Sequence, residues 1–398
     1  MANPALSCVK TASSVAVYSD ARDVARRLAP EAPVFCFSRA QLQARVREFQ
    51  AGFPGEVSFA VKSNPSPAVL EALSDFGIDH WDVASVHEME AIGRLGRKAV
   101  FHYHNPVKSR REIADAYGKH GCRRFAVDCR EELRKIAAMV DSPAGVEIAV
   151  RFVLPRERTS SAHDFSTKFG APDHICVELL KEAAERGFTP LLTFHPGSQS
   201  REPQTYQRHI EAAARIARSA GVAIGKLNVG GGFPADYLRS KGGALEPYFS
   251  TIAKAATKAF GKGKEPKLEC EPGRGLVATC MSLLAQIKLV CTDGDDIFIN
   301  DGVYGGLMEV MQVPELEPPY RVIRGGDVVT GETKDWKVFG PTCDPLDVLP
   351  HRLALPATIR DEDFIEFGNL GAYGIATSTF FNGYGGHEVI PVQSVLTI

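Results

Sequence analysis

The chain has no apolar stretch approaching the length of a membrane span and no block of basic residues interleaved with aromatics. The first absence leaves no candidate transmembrane helix. The second, with a net charge of −2, argues against nucleic acid and anionic membrane as partners. Cysteines number nine, an odd count, with no Cys-x-x-Cys pair and no zinc-like spacing. Neither a disulfide framework nor a structural zinc is therefore expected. Cys36, Cys176, Cys270 and Cys280 lie among apolar neighbours and read as reduced core residues. The first twenty residues lack a basic start followed by a long apolar stretch, so the cytoplasm is the expected location.

What is present is an ordinary globular composition on a long chain. The 398 residues exceed what one hydrophobic core usually holds, so two domains are expected. From residue 57 to about 277, short β-rich runs fall at 57–61, 80–84, 99–103, 124–128, 147–153, 191–195, 226–229 and 267–271. Between them lie stretches with apolar residues at three- and four-residue intervals: 67–76, 86–95, 110–117, 131–139, 174–186, 205–220 and 245–260. Strand then helix, repeated eight times, predicts an α/β fold of the (β/α)8 TIM-barrel type. The polar interruption 154–173, with Arg156, Arg158, Ser160, Ser161, His163 and Lys168, follows the fifth strand and reads as a functional loop.

After residue 278 the pattern changes. Runs at 281–290, 296–300, 320–323, 336–339, 364–367 and 387–392 read as strands separated by Gly, Pro and Asp turns. The expected division is a barrel over 35–277 and an all-β C-terminal domain over 278–398. Residues 1–34, with strand-like pieces at 15–18 and 34–37, are expected to join the latter.

Lys62 ends the run Val57 to Val61 and precedes Ser63-Asn64-Pro65, a strand-ending turn. Burial there would lower its pKa, and a neutral amine is a nucleophile toward a carbonyl. The plain alternative is a lysine that reaches for water. Other strand ends offer Asp82, His104-Asn105, Arg151, His195-Pro196-Gly197-Ser198-Gln199, Gly230-Gly231-Gly232 and Glu271-Pro272-Gly273-Arg274. The C-terminal strand ends are where such barrels carry their chemistry, and glycines after the seventh strand can bring backbone N–H groups close to a phosphate. Ser198 could add a hydroxyl and Arg274 a positive charge. Taken singly, each motif is a turn or a core residue. Together, an amine, a phosphate cradle, an imidazole and a carboxylate are the parts that pyridoxal phosphate needs.

In order along the chain, Phe59 to Asn64 around Lys62, His195-Pro-Gly-Ser-Gln, Gly230-Gly-Gly-Phe-Pro, Glu271-Pro-Gly-Arg, Gly340-Pro-Thr-Cys343-Asp344 with Asp347, and Gly371-Ala-Tyr373 with Phe381-Asn-Gly resemble the ornithine/diaminopimelate/arginine decarboxylases. That family has an alanine-racemase-like barrel, and Gly-Pro-Thr-Cys-Asp leans toward the ornithine decarboxylase branch. The resemblance spans roughly residues 34–392. It implies that Lys62 binds the cofactor aldehyde covalently, that His195 stacks on the ring and that Glu271 faces the ring nitrogen. It implies that Ser198, Gly232, Arg274 and Tyr373 hold the phosphate, with Asp82 and Arg151 beside the cofactor. It also implies that Cys343, from a neighbouring subunit, returns a proton to Cα, and that Lys168 and Asp347 pair across a homodimer.

The substrate implied is basic, ornithine or lysine, giving putrescine or cadaverine, with Asp344, Tyr304 and Phe381 near it. In the ornithine branch an aspartate nine residues beyond the tyrosine of Asp301-Gly302-Val303-Tyr304 holds the distal ammonium, but here that position is Val313, after Gln312. Glu309, Glu315 or Glu317 could replace the charge, Asp344 could do more, or the substrate could be a less basic amino acid. No metal is expected. The competing readings are a metal-dependent hydrolase using His102, His104 and His195, a cofactor-binding regulator without catalysis, and a racemase, which would want two opposed bases and no cysteine motif.

Overall fold

In the computed structural model, residues 18–155, 161–163, 168–291 and 293–398 are described. Most of the strand-like piece at 15–18, and Arg156, Arg158 and Ser160 of the expected loop, lie outside them. Eight parallel strands, each paired with the next in sequence, form a closed barrel: Gly55–Ala60, His80–Val83, Val100–Tyr103, Arg124–Val127, Glu147–Arg151, Thr189–Thr193, Lys226–Asn228 and Lys267–Cys270. The ring closes where Lys267–Cys270 meets Gly55–Ala60 in register, with Cys270 opposite Val57.

Alternation along these strands sorts the side chains. Phe125, Val127, Ile148 and Val150 join the large core under the helices, whereas Ala126, Ala149 and Leu191 form a separate buried cluster. Those three small or medium residues lie side by side in register, which is how a barrel interior is filled. The same inward-facing register sets Asp82 beside His102 and His102 beside Arg124. The helices expected between strands are present, for example Pro67–Asp75, Asp173–Glu185, Gln204–Ala220 and Glu246–Phe260. Ser109 starts Arg110–Gly118 with a reciprocal capping box to Glu112.

Strand Val34–Ser38 pairs with Met281–Cys291 and with Glu388–Val392, so it belongs to the second sheet although the expected boundary put residues from 35 in the barrel. That sheet has nine strands, including Leu353–Pro356 and Asp327–Val328, which the sequence pattern did not reveal. It also carries the short helices Met308–Gln312 and Gly374–Thr377. Both face the barrel mouth. Tyr373 N–H donates to Ser63 O at 2.8 Å, and Asn64 Nδ2 donates to Gly371 O at 2.7 Å, tying the sheet to the turn that carries Lys62. Among the described residues no helix is long and apolar enough to cross a membrane.

Candidate active site

A cavity of about 420 Å³ opens between the C-terminal ends of the barrel strands and the second sheet. Its walls include Lys62, Asp82, His104, Arg151, Lys168, His195, Ser198, Arg274 and Tyr373, together with Glu309, Gln312 and Val313 from the stretch considered for substrate recognition. A smaller recess of about 30 Å³ beneath it is lined by Gly231, Gly232, Glu271 and Gly273 as well.

Lys62 sits in the single 3₁₀ turn Val61–Ser63 that ends the first strand, its Nζ 3.8 Å from Asp82. Its side chain is 48% exposed, to the cavity. The sequence reading expected burial to neutralise this amine. Burial does oppose the charge, but Asp82, Tyr373 and Glu271 outweigh it and hold the pKa above its ordinary value. The amine is therefore an ammonium, stored beside carboxylates.

Those carboxylates divide in character. Burial, reinforced by Glu271, raises the pKa of Asp82. Burial also works against the charge on Glu271, but contact with His104, then Lys62 and the Asn228 amide at 2.7 Å, pulls its pKa below the ordinary range. Glu271 is the persistent anion at the barrel axis, and Asp82 the one more ready to take a proton. Neither His104 as a partner of Glu271 nor Asn228 emerged from the sequence. Asn228 ends the seventh strand just before the glycine run, and a polar residue at that place was the available signal.

His195 follows the sixth strand, and Gly197 N–H donates to its Nδ1 at 3.1 Å. Burial, then Lys62 and Arg151, press its pKa well below the ordinary value, so the ring is neutral with its proton on Nε2. Burial also lowers the pKa of Arg151, against the pull of Glu271 and Asp82.

The glycine run is built for close approach. Gly230 has φ +69°, and a Cβ there would meet Phe194 O at 2.2 Å. At Gly232, φ +89°, a Cβ would meet Gly197 O at 2.4 Å, and at Gly231 it would meet Glu271 O at 2.7 Å. Tyr206 Oη donates to Gly231 O, and Ser200 N–H to Gly232 O, fixing the loop. Among the described residues, no protein acceptor takes the N–H of Gly232, Gly273 or Arg274. Arg274 Nε is likewise buried without a partner. A recess with unspent donors and no room for a Cβ suits a phosphate group. The other guanidinium nitrogens of Arg274 are taken by Tyr237 Oη at 2.8 Å and by both oxygens of Glu309. Glu309 is thus a clamp on Arg274, not the free charge considered from sequence.

The remaining expected residues lie elsewhere. Cys343 is exposed, with its N–H 3.2 Å and its Sγ 3.3 Å from Asn382 Oδ1. Tyr304 Oη donates to Asp344 at 2.6 Å, and the Tyr304 and Phe381 rings are 4.8 Å apart. None of these four lines the cavity of its own chain. The expected pairing of Lys168 with Asp347 across a dimer is not supported. Asp347 is buried and accepts from Val303 N, Thr342 N and Thr342 Oγ1, which leaves it turned inward.

The metal alternative also meets an obstacle. Among the described residues the one potential ligand cluster is His102, His104 and Glu271, without His195. The Arg124 guanidinium lies 3.0 Å from the His102 ring, and a second cation beside it is opposed by charge. Cys36, Cys176, Cys270 and Cys280 are free and buried, as their apolar settings implied.

Comparison with known proteins agrees with this geometry. Residues 39–278 match the family described as pyridoxal-dependent decarboxylase, pyridoxal binding domain. A lysine/ornithine decarboxylase of Selenomonas ruminantium is 30% identical over 82% of this chain and 81% of its own length. Among solved structures, SrLDC with PLP and cadaverine is 27% identical at a TM-score of 0.78, covering 94% of this chain and 92% of that one. A lysine/ornithine decarboxylase of Vibrio vulnificus, complexed with putrescine, is 25% identical at a TM-score of 0.79, covering 93% and 96%. The chain belongs to the pyridoxal-dependent decarboxylases, carboxy-lyases that use pyridoxal 5'-phosphate to decarboxylate amino acids.

Proposed function

We propose that the cavity decarboxylates an L-amino acid to its amine with Lys62 as the covalent anchor of the cofactor. The observation that carries this reading is the placement of the Lys62 amine opposite the glycine recess and Arg274, with Glu271 held as an anion on the floor. When bound, the cofactor supplies an aldehyde and an electron-accepting ring for the pair left when the α-carboxylate departs as CO₂.

The chain's own residues do the rest. Ser198, the N–H groups of Gly231, Gly232, Gly273 and Arg274, and the free Nε of Arg274 hold the phosphate, with Gly230 allowing the turn and Tyr373 closing the recess. The neutral His195 ring covers one face of the cofactor. Glu271, kept charged by His104 and Asn228, faces the ring nitrogen and favours its protonated form. Asp82 and Arg151 balance the charge around Lys62. With the substrate amine in its place on the aldehyde, the released Lys62 amine would be free to carry a proton.

The proton that returns to Cα comes from the Cys343 thiol of a second copy, which makes the active unit a homodimer. Supporting this, the exposed Cys343 and Phe381, with the half-buried Asp344 and Tyr304, form one group outside their own cavity, beside Leu346, which is 63% exposed. A loop that offers a thiol and apolar surface fits an interface. The relatives named above act on lysine and ornithine, but the cavity wall formed by Gln312 and Val313 supports a basic substrate poorly.

The test incubates the purified chain and pyridoxal phosphate with a panel of L-amino acids, measuring CO₂ and amine. Loading should turn the protein yellow, and borohydride should bleach that colour while leaving a stable pyridoxyl group on Lys62. A chain that takes up no chromophore, or releases no CO₂ from any amino acid, is not this enzyme.

A further inference from the structure

The loop carrying Cys343 is pinned on both sides of the thiol. Before it, Thr342 donates to Asp347 from its N–H at 3.0 Å and from Oγ1 at 2.7 Å. After it, Asp344 accepts from Tyr304 Oη at 2.6 Å and from Leu346 N–H at 2.9 Å. Neither contact reaches the sulfur. The group that does is Asn382, whose Oδ1 accepts from the Cys343 N–H at 3.2 Å and from Sγ at 3.3 Å.

Asn382 is itself held by other contacts. Its turn, Phe381–Gly383, follows Thr379, whose N–H and Oγ1 donate to Tyr304 O at 2.9 Å and 2.8 Å. Phe381 N–H returns to Thr379 Oγ1 at 3.3 Å, and the Phe381 ring packs on Tyr304. Asn382 has φ +53°, a left-handed backbone that asparagine adopts more readily than most residues. The amide oxygen is thus presented to the sulfur by a turn anchored elsewhere. A thiol without such a partner can rotate among staggered wells, and only one of them aims at a given atom.

We infer that Asn382 is a positioning residue for Cys343, holding Sγ in one orientation with its hydrogen parked on the amide oxygen until a substrate Cα is presented. The inference rests on the reading of Cys343 as proton donor and adds the group that aims it. In that step the Sγ–H bond breaks as the Cα–H bond forms, and the thiolate regains a proton from water before the next turnover.

The experiment uses the full chain loaded with pyridoxal phosphate. Asn382→Gly removes the acceptor with a residue at ease at φ +53°, and Asn382→Asp keeps an oxygen in the same place. The first readout needs no substrate. It is the infrared S–H stretching band of Cys343, isolated by subtracting the spectrum of Cys343→Ala. The band should move to higher frequency in Asn382→Gly and stay at or below its wild-type position in Asn382→Asp. The second readout is the aldehyde-to-amine ratio from whichever amino acid of the panel releases CO₂ fastest. It should rise about tenfold in Asn382→Gly, as expected when a reacting group is misaimed, and stay near wild type in Asn382→Asp. In a Cys343→Ala background Asn382→Gly should add nothing, because a residue that acts through the thiol has no effect without it. A ratio that does not rise in Cys343→Ala, or no CO₂ from any amino acid, overturns the proton-donor reading and this inference with it. A rise in Cys343→Ala, with the band or the ratio unmoved in Asn382→Gly, overturns the inference alone. So does a further rise from Asn382→Gly when Cys343 is already Ala.

Discussion

Lys62 and Asp82 illustrate how a reactive amine is stored without being lost to the solvent. The pair is 3.8 Å apart, and Asp82 is pressed by burial and by Glu271 toward its protonated form. The folded cofactor-free chain therefore keeps a proton on Asp82 that the unfolded chain sheds near pH 3.8. Stability on this account falls as the pH rises from about 4 toward the folded value, because the unfolded state then binds fewer protons. Asp82→Asn should flatten that fall, which urea unfolding of both proteins at pH 5 and pH 8 will measure. An equal gain at the two pH values would remove Asp82 as the cause. At Cys343, replacement by Ala should cut amine formation roughly 10²–10⁴-fold, the usual worth of a positioned acid. It should also divert product to aldehyde with an aminated cofactor. Product analysis by mass spectrometry decides this, and an unchanged amine yield takes Cys343 out of the mechanism.

Two short elements decide what the cavity can hold. The glycine run forms a turn that only its lack of side chains permits. Gly230→Ala would place a methyl 2.2 Å from Phe194 O at φ +69°. The expected loss is about 2–4 kcal/mol from backbone strain and overpacking together, read as a lower denaturation midpoint. The second element is the helix Met308–Gln312, five residues long, which carries Glu309 onto Arg274. Glu309→Gln removes one partner of a buried ion pair, a change that costs about 3–5 kcal/mol. It should also weaken retention of pyridoxal phosphate, since Arg274 would lose the clamp that orients its free Nε. Fluorescence titration with the cofactor checks this, and wild-type affinity would make the clamp a matter of stability alone.

Over the whole molecule, the barrel and the second sheet share the site unequally. The barrel carries Lys62, Asp82, Glu271 and the glycine recess, while the sheet supplies Tyr373, Glu309 and Val313 on one side and exposes Cys343 on another. A site assembled from two copies predicts complementation. Lys62→Ala and Cys343→Ala chains, each poor in amine formation alone, should regain about a quarter of wild-type activity when dissociated and reassociated in equal amounts. Half of the random dimers are mixed, and each of those has one intact site. No recovery, with a single-chain mass by light scattering, would make the monomer the functional unit.

Strand and helix positions of the barrel were legible in the sequence because burial on one side of each element repeats with the period of that element. The Lys62 turn, the glycine run and Glu271-Pro-Gly-Arg274 were legible as well, since strand ends in this architecture converge on one mouth. Less was visible where partners are distant along the chain. The union of Glu309 with Arg274, the hold of His104 and Asn228 on Glu271, and the inward turn of Asp347 each join residues from separate strands or domains. Local pattern carries no record of such pairings. The charge state of Lys62 was likewise decided only in three dimensions, where neighbouring carboxylates outweigh the cost of burial. Sequence alone thus determined which groups line the barrel mouth, and the tertiary structure determined which of them are still free to meet a substrate, because Coulomb attraction and hydrogen bonding act over distance in space and not along the chain.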